Sequence, residues 1–134
     1  MSEESALRQF HPASQNWFRA TFGLPTLAQA NAWQAIKAGH HTLISAPTGS
    51  GKTLAAFYGA IDQLLQKGLL NQLEEGVHIL YVSPLKALSN DIRKNLDQPL
   101  DGIAEQTHLA GLPPVDIRVG ARTGDTPAGE RQKM

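Results

Sequence analysis

Eight consecutive residues, Ala46-Pro47-Thr48-Gly49-Ser50-Gly51-Lys52-Thr53, combine two glycines, a lysine and a hydroxyl in the order that binds a polyphosphate. Gly49 and Gly51 let the backbone turn so that its N–H groups face a phosphate, where a side chain would block the approach. Lys52 supplies a point charge for the β- and γ-phosphates, and Thr53 can place its hydroxyl on a Mg²⁺ ion that keeps most of its waters. Ala46 stands where the general pattern asks for glycine, so the match is incomplete by one residue.

Three other segments carry groups suited to a nucleotide or a nucleic-acid backbone. Phe22-Gly23-Leu24-Pro25-Thr26-Leu27-Ala28-Gln29 ends on an amide ahead of the glycine-rich loop, and Ser83-Pro84-Leu85-Lys86-Ala87-Leu88-Ser89-Asn90-Asp91 and Arg122-Thr123-Gly124-Asp125-Thr126 follow apolar runs. The first resembles the Q motif of superfamily 2 helicases, and the second and third resemble motif Ia and the Thr-Gly-Asp element. Together with residues 46–53 they are especially similar to the Lhr (large helicase-related) family, and the resemblance covers essentially the whole chain.

The resemblance implies an α/β fold, a partial RecA-like P-loop domain, with ATP and Mg²⁺ as cofactors. Thr48, Gly49, Ser50, Gly51, Lys52 and Thr53 would then hold the triphosphate, Thr53 on the Mg²⁺. Gln29 would read the adenine edge, as an amide can by pairing with N6 and N7. Relatives stack an aromatic on adenine, and Phe10 is the candidate for that place. Pro84, Leu85, Lys86, Arg122, Thr123 and Gly124 would meet the backbone of single-stranded DNA or RNA, without reading bases. For Lys86 and Arg122 the alternative is a solvated surface charge, and for Asp125 a turn role with Gly124. The implied family activity is ATP-driven 3′-to-5′ translocation with unwinding of duplexes.

The elements that must position these groups follow from periodicity. Trp17, Phe18 and Phe22 predict a short helix stopped by Gly23 and Pro25, and Thr26 caps a second helix carrying Leu27, Ala30, Trp33 and Ile36 as far as Gly39. Thr42–Ser45 predicts a buried strand. The spacing of Leu54, Phe57, Tyr58, Ile61, Leu64 and Leu65 predicts a helix ending at Gly68. Val77–Ser83 predicts a second strand closed by Pro84, Leu85–Leu96 a helix, and Val115–Val119 a third strand. The expected order is therefore βαβαβ in a parallel sheet, with residues 1–40 a Q-motif-like helical preface and residues 41–134 the truncated ATP-binding domain.

The bulk numbers set limits. A chain of 134 residues holds at most one domain. Twelve Lys and Arg balance twelve Asp and Glu, so nucleic-acid contact has to come from positioned groups and not from a global field. Cysteine is absent, which excludes disulfides and thiolate metal sites. No run approaches the length of a spanning helix, so the expectation is a soluble, cytoplasmic protein without a membrane partner. The resemblance implies an Asp-Glu pair to hold Mg²⁺ and orient water, a coupling Ser-Ala-Thr and a second motor domain with its arginine finger, none of which is found in this sequence. The chain is thus expected to bind ATP without turnover, with the remainder of a helicase as a partner on another chain. The alternatives are a non-catalytic nucleotide-binding module or truncated gene product, and a P-loop kinase.

Overall fold

The computed structural model describes residues 3–47, 51–83 and 89–120. Among these, five helices follow one another: α1 (Glu3–Leu7), α2 (Pro12–Phe22), α3 (Leu27–Lys37), α4 (Lys52–Leu69) and α5 (Ser89–Leu109). Their ends follow local chemistry. Pro12 sits in the first turn of α2, where its missing N–H costs nothing, and the His11 ring accepts from the Ala13 N–H at 3.1 Å. Gly23, at φ 80°, closes α2 through its N–H to the Arg19 carbonyl. Thr26 and Gln29 open α3 with a reciprocal capping box.

The core is a cluster of aromatic rings held between helices. Phe10, Trp17, Phe18, Trp33 and Tyr58 meet mostly edge to face, with centroids 4.7 to 6.4 Å apart. Leu54, Phe57, Ile61 and Leu65 extend the cluster along the buried face of α4, and Ile103 joins it from α5. Residues on both sides of position 40 share this single core. A buried carboxylate ties the segment before α2 to α4: Asp62 accepts from the His11 N–H at 2.9 Å and from Gln66 at 2.7 Å, with the Lys37 ammonium 3.9 Å away.

Helix α5 runs to Leu109, well beyond Leu96, where the predicted helix ends. Pro99 lies inside it and is fully buried, so its packing offsets the intrahelical bond it cannot make. Gly102 lets α5 close on α2, because a methyl group there would collide with the Trp17 indole. Gly68 does the same at the end of α4, against Val115.

The three expected strands are where the fold departs from expectation. Thr42–Ser45, Val77–Ser83 and Val115–Val119 are not paired into ladders, and no strand occurs among the described residues. The βαβαβ sheet is therefore absent from them. Exposure nonetheless alternates over the four residues 79–82: Ile79 and Tyr81 are 45% and 44% exposed, Leu80 and Val82 81% and 79%, whereas Val77, at 78%, falls outside the pattern. Tyr81 turns inward to pack on Phe57, ring centroids 5.0 Å apart. The period of two that predicts an extended segment is thus present. A ladder needs in addition a neighbouring backbone about 4.8 Å away, which residue pattern alone does not supply.

Candidate nucleotide-binding site

The site is built where α3 and α4 begin. Gly51 adopts the left-handed conformation, φ 82° and ψ 25°, and caps the N-terminus of α4. A side chain there would be strained by that backbone and would also strike the Gln29 amide. Lys52 is the first helical residue, and its ammonium donates to the Ala46 carbonyl at 2.6 Å. Thr53 follows in the first turn, half-buried. The positive end of the α4 dipole and the Lys52 charge thus lie together.

Gln29 is fixed at both ends of its amide. Its Oε1 accepts from the Thr26 N–H at 2.9 Å, and its Nε2 donates to the Gly51 carbonyl at 3.3 Å. The Thr26 hydroxyl completes the box by accepting from the Gln29 N–H at 3.2 Å. Gln29 is buried, and these bonds use one of its two amide protons and one of its two carbonyl lone pairs, leaving one of each for a base edge.

Phe10 is placed differently from expectation. It is 3% exposed, edge-on to Trp33 and Tyr58, with the Lys37 ammonium 4.3 Å from its ring centroid. A base could stack on it only if the ring left the core. Phe22, at the end of α2 and four residues ahead of the Thr26 cap, is 47% exposed, its ring resting against Trp17 and Phe18 at centroid distances of 5.7 and 5.2 Å. The capping box itself was legible as Thr26-x-x-Gln29.

Thr48, Gly49 and Ser50 lie outside the described residues, as do Pro84, Leu85, Lys86, Arg122, Thr123 and Gly124. The structure therefore brings together Gln29, Gly51, Lys52 and Thr53. The half-buried Thr53 hydroxyl is one hard oxygen that suits Mg²⁺, and an ion held there would take its remaining ligands from water and from phosphate, whose negative charge offsets the positive N-terminus of α4. Below the site, burial pushes the Tyr58 phenol well above its ordinary range, the nearby Asp62 adds to the rise and Arg19 opposes it, so the ring is neutral core.

A profile of the DEAD/DEAH box helicases matches residues 26–133, from the cap of α3 nearly to the last residue. The chain belongs to the DEAD/DEAH box helicase family. Within that family it falls with the Lhr helicases. It is 49% identical over 128 residues to an Lhr helicase/probable uracil glycosylase of Mycolicibacterium smegmatis, covering 96% of this chain and 8% of that one. It is 50% identical over 120 residues to the ATP-dependent helicase Lhr-Core protein 2 of Thermococcus barophilus, covering 90% and 14%. The solved structure of Mycobacterium smegmatis helicase Lhr bound to ssDNA and AMP-PNP matches with a TM-score of 0.84 at 49% identity, over 96% of this chain and 16% of that one. This DEAD/DEAH-family chain thus spans a small part of the length of the relatives it matches. No helix among its described residues is long and apolar enough to cross a membrane.

Proposed function

We propose that this chain is the ATP-binding part of an ATP-dependent nucleic-acid helicase and takes MgATP between the starts of α3 and α4. The observation that carries the reading is the bond from the Gln29 amide to the Gly51 carbonyl, because it joins the base-reading segment directly to the phosphate-binding loop. Residues 46–53 hold the triphosphate, Lys52 leaving the Ala46 carbonyl for phosphate oxygen, and Thr53 faces Mg²⁺. Gln29 reads adenine, and Phe22, 47% exposed where it leaves Trp17 and Phe18, is a more accessible aromatic than Phe10. The bound AMP-PNP of the Mycobacterium smegmatis relative supports a nucleotide here, and its ssDNA supports a nucleic-acid partner.

The finer parts of the reading rest on sequence. Residues 1–40 form the Q-motif-like preface to a RecA-like domain whose strands, at 42–45, 77–83 and 115–119, pair when the sheet is complete. Lys86 and Arg122, with Pro84, Leu85, Thr123 and Gly124, grip the backbone of a single strand. The outward Leu80 and Val82, and Leu43 at 93% exposure, support completion of the sheet by the remainder of a helicase motor. This chain carries no Asp-Glu pair, so it binds ATP without hydrolysing it.

The test is a titration of the purified chain with a fluorescent ATP analogue and Mg²⁺, followed by competition with ATP and GTP. Saturable binding, preference for ATP, and loss of that preference in Gln29→Ala are expected. Equal affinity for the two nucleotides would remove the adenine-reading role, and absence of binding would remove the site.

A further inference from the structure

Two side chains cross from α3 to α4, and they cross in step. Gln29 Nε2 donates to the Gly51 carbonyl at 3.3 Å, and Trp33 Nε1 donates to the Ala55 carbonyl at 2.9 Å. The donors are one helical turn apart on α3, and the acceptors are one turn apart at the start of α4, so the two helices run in the same direction here with a fixed stagger. The two crossings differ in stiffness. Trp33 is fully buried, wedged against Phe10, Phe18 and Tyr58 at centroid distances of 4.9, 5.7 and 5.4 Å. Its indole N–H would be stranded in the core without the Ala55 carbonyl. The Gln29 bond is longer, at the edge of the core, and made by a side chain with one more rotatable bond.

We infer that Trp33 is a positioning residue for base recognition: its indole bond to Ala55 sets the stagger of α3 on α4 that brings the Gln29 amide to the phosphate-binding loop. The inference rests on the reading of Gln29 as the adenine contact. Trp33 lies within the core and acts through Gln29 alone. It fixes where Gln29 stands, so removing its N–H alters discrimination between bases and leaves the phosphate contacts in place.

The experiment replaces Trp33 by phenylalanine and, to keep the ring volume, by the benzothiophene isostere in which sulfur stands for N–H. Both are compared with the unmodified full chain in three measurements. The Gln29 side-chain amide signals are followed by ¹⁵N–¹H NMR without nucleotide, the ATP-to-GTP affinity ratio by competition, and tripolyphosphate affinity by calorimetry. The expected result is a shift of the Gln29 amide signals toward those of a solvated amide, a roughly three- to tenfold fall in the ATP-to-GTP ratio as for one lost hydrogen bond, and unchanged tripolyphosphate affinity. Unmoved Gln29 signals in the isostere would overturn the inference, as would an unchanged ratio in a chain that prefers ATP. If the unmodified chain shows no preference, the adenine reading fails, and the Gln29 signals alone decide the positioning role. The isostere keeps the measurement valid if Trp33→Phe does not fold.

Discussion

The Lys52 ammonium already has a partner, the Ala46 carbonyl at 2.6 Å, and a triphosphate must take its place. Exchange of a neutral acceptor for a charged one favours the phosphate, because hydrogen bonds to ionised groups contribute about 1.5–3 kcal/mol. Lys52→Ala should therefore weaken ATP binding by about 10- to 100-fold. The thermal midpoint should barely change, since the side chain is half-exposed and makes one short bond; fluorescence titration alongside calorimetry checks both. The two phenylalanines should part company. Phe10→Ala opens a hole in the aromatic cluster and should cost about 3–5 kcal/mol of stability. Phe22→Ala, which loses only the partly exposed ring packed on Trp17 and Phe18, should cost less stability than Phe10→Ala and weaken ATP, and a nucleotide titration that finds Phe22→Ala unchanged would remove its stacking role. The residue types of the site, Gln29 and Lys52 above all, were legible because few side chains do their chemistry. The place of Phe10 was not, because an aromatic looks the same in sequence whether its faces meet a base or other rings.

Helix ends were the most legible elements, since Pro12, Gly23 and Gly51 act through their own backbone and Thr26 through its hydroxyl on the nearby Gln29 N–H. The length of α5 was hidden because Pro99 reads as a stop unless its burial is known. The close contact of Gly102 with Trp17 was hidden for the same reason. Alanine usually improves a helix interior by about 1 kcal/mol over glycine, but a methyl group here would meet the indole. Overpacking of about 1–3 kcal/mol should win, so Gly102→Ala is expected to lower the thermal midpoint by several degrees, read by circular dichroism. On α4 the Tyr58 hydroxyl is buried with no hydrogen-bond partner among the described protein groups. Its folded pKa lies above the unfolded value of 10.0, so its contribution to stability is full below that value and is lost as pH rises beyond it. Tyr58→Phe should be neutral or stabilising at pH 7 and should flatten the alkaline fall in stability, as denaturant titrations at pH 8 and pH 11 would show.

Across the whole molecule, the βαβαβ reading depended on strands finding neighbours, and such pairing is a property of the assembled sheet, not of any one segment. The alternation along Ile79–Val82 was readable, while the partner for its outer side was not. Phosphoryl transfer to water requires an orienting carboxylate and benefits from an arginine finger worth about 10³–10⁵ in rate. This chain should accordingly bind MgATP and release no phosphate above background, with or without single-stranded DNA. Turnover that disappears in Lys52→Ala would show that a carboxylate such as Asp91 or Asp125 takes part.

The outward row of Leu80 and Val82 has a colloidal consequence as well. Extended apolar backbone with unpaired N–H and C=O groups is a template for association with any similar segment, and natural proteins blunt it with charge. Here the net charge is zero and the isoelectric point near 7.0, so at neutral pH copies of the chain do not repel one another. Turbidity at rest should rise fastest near pH 7 and subside toward pH 9, and Leu80→Lys should suppress it while leaving ATP affinity untouched.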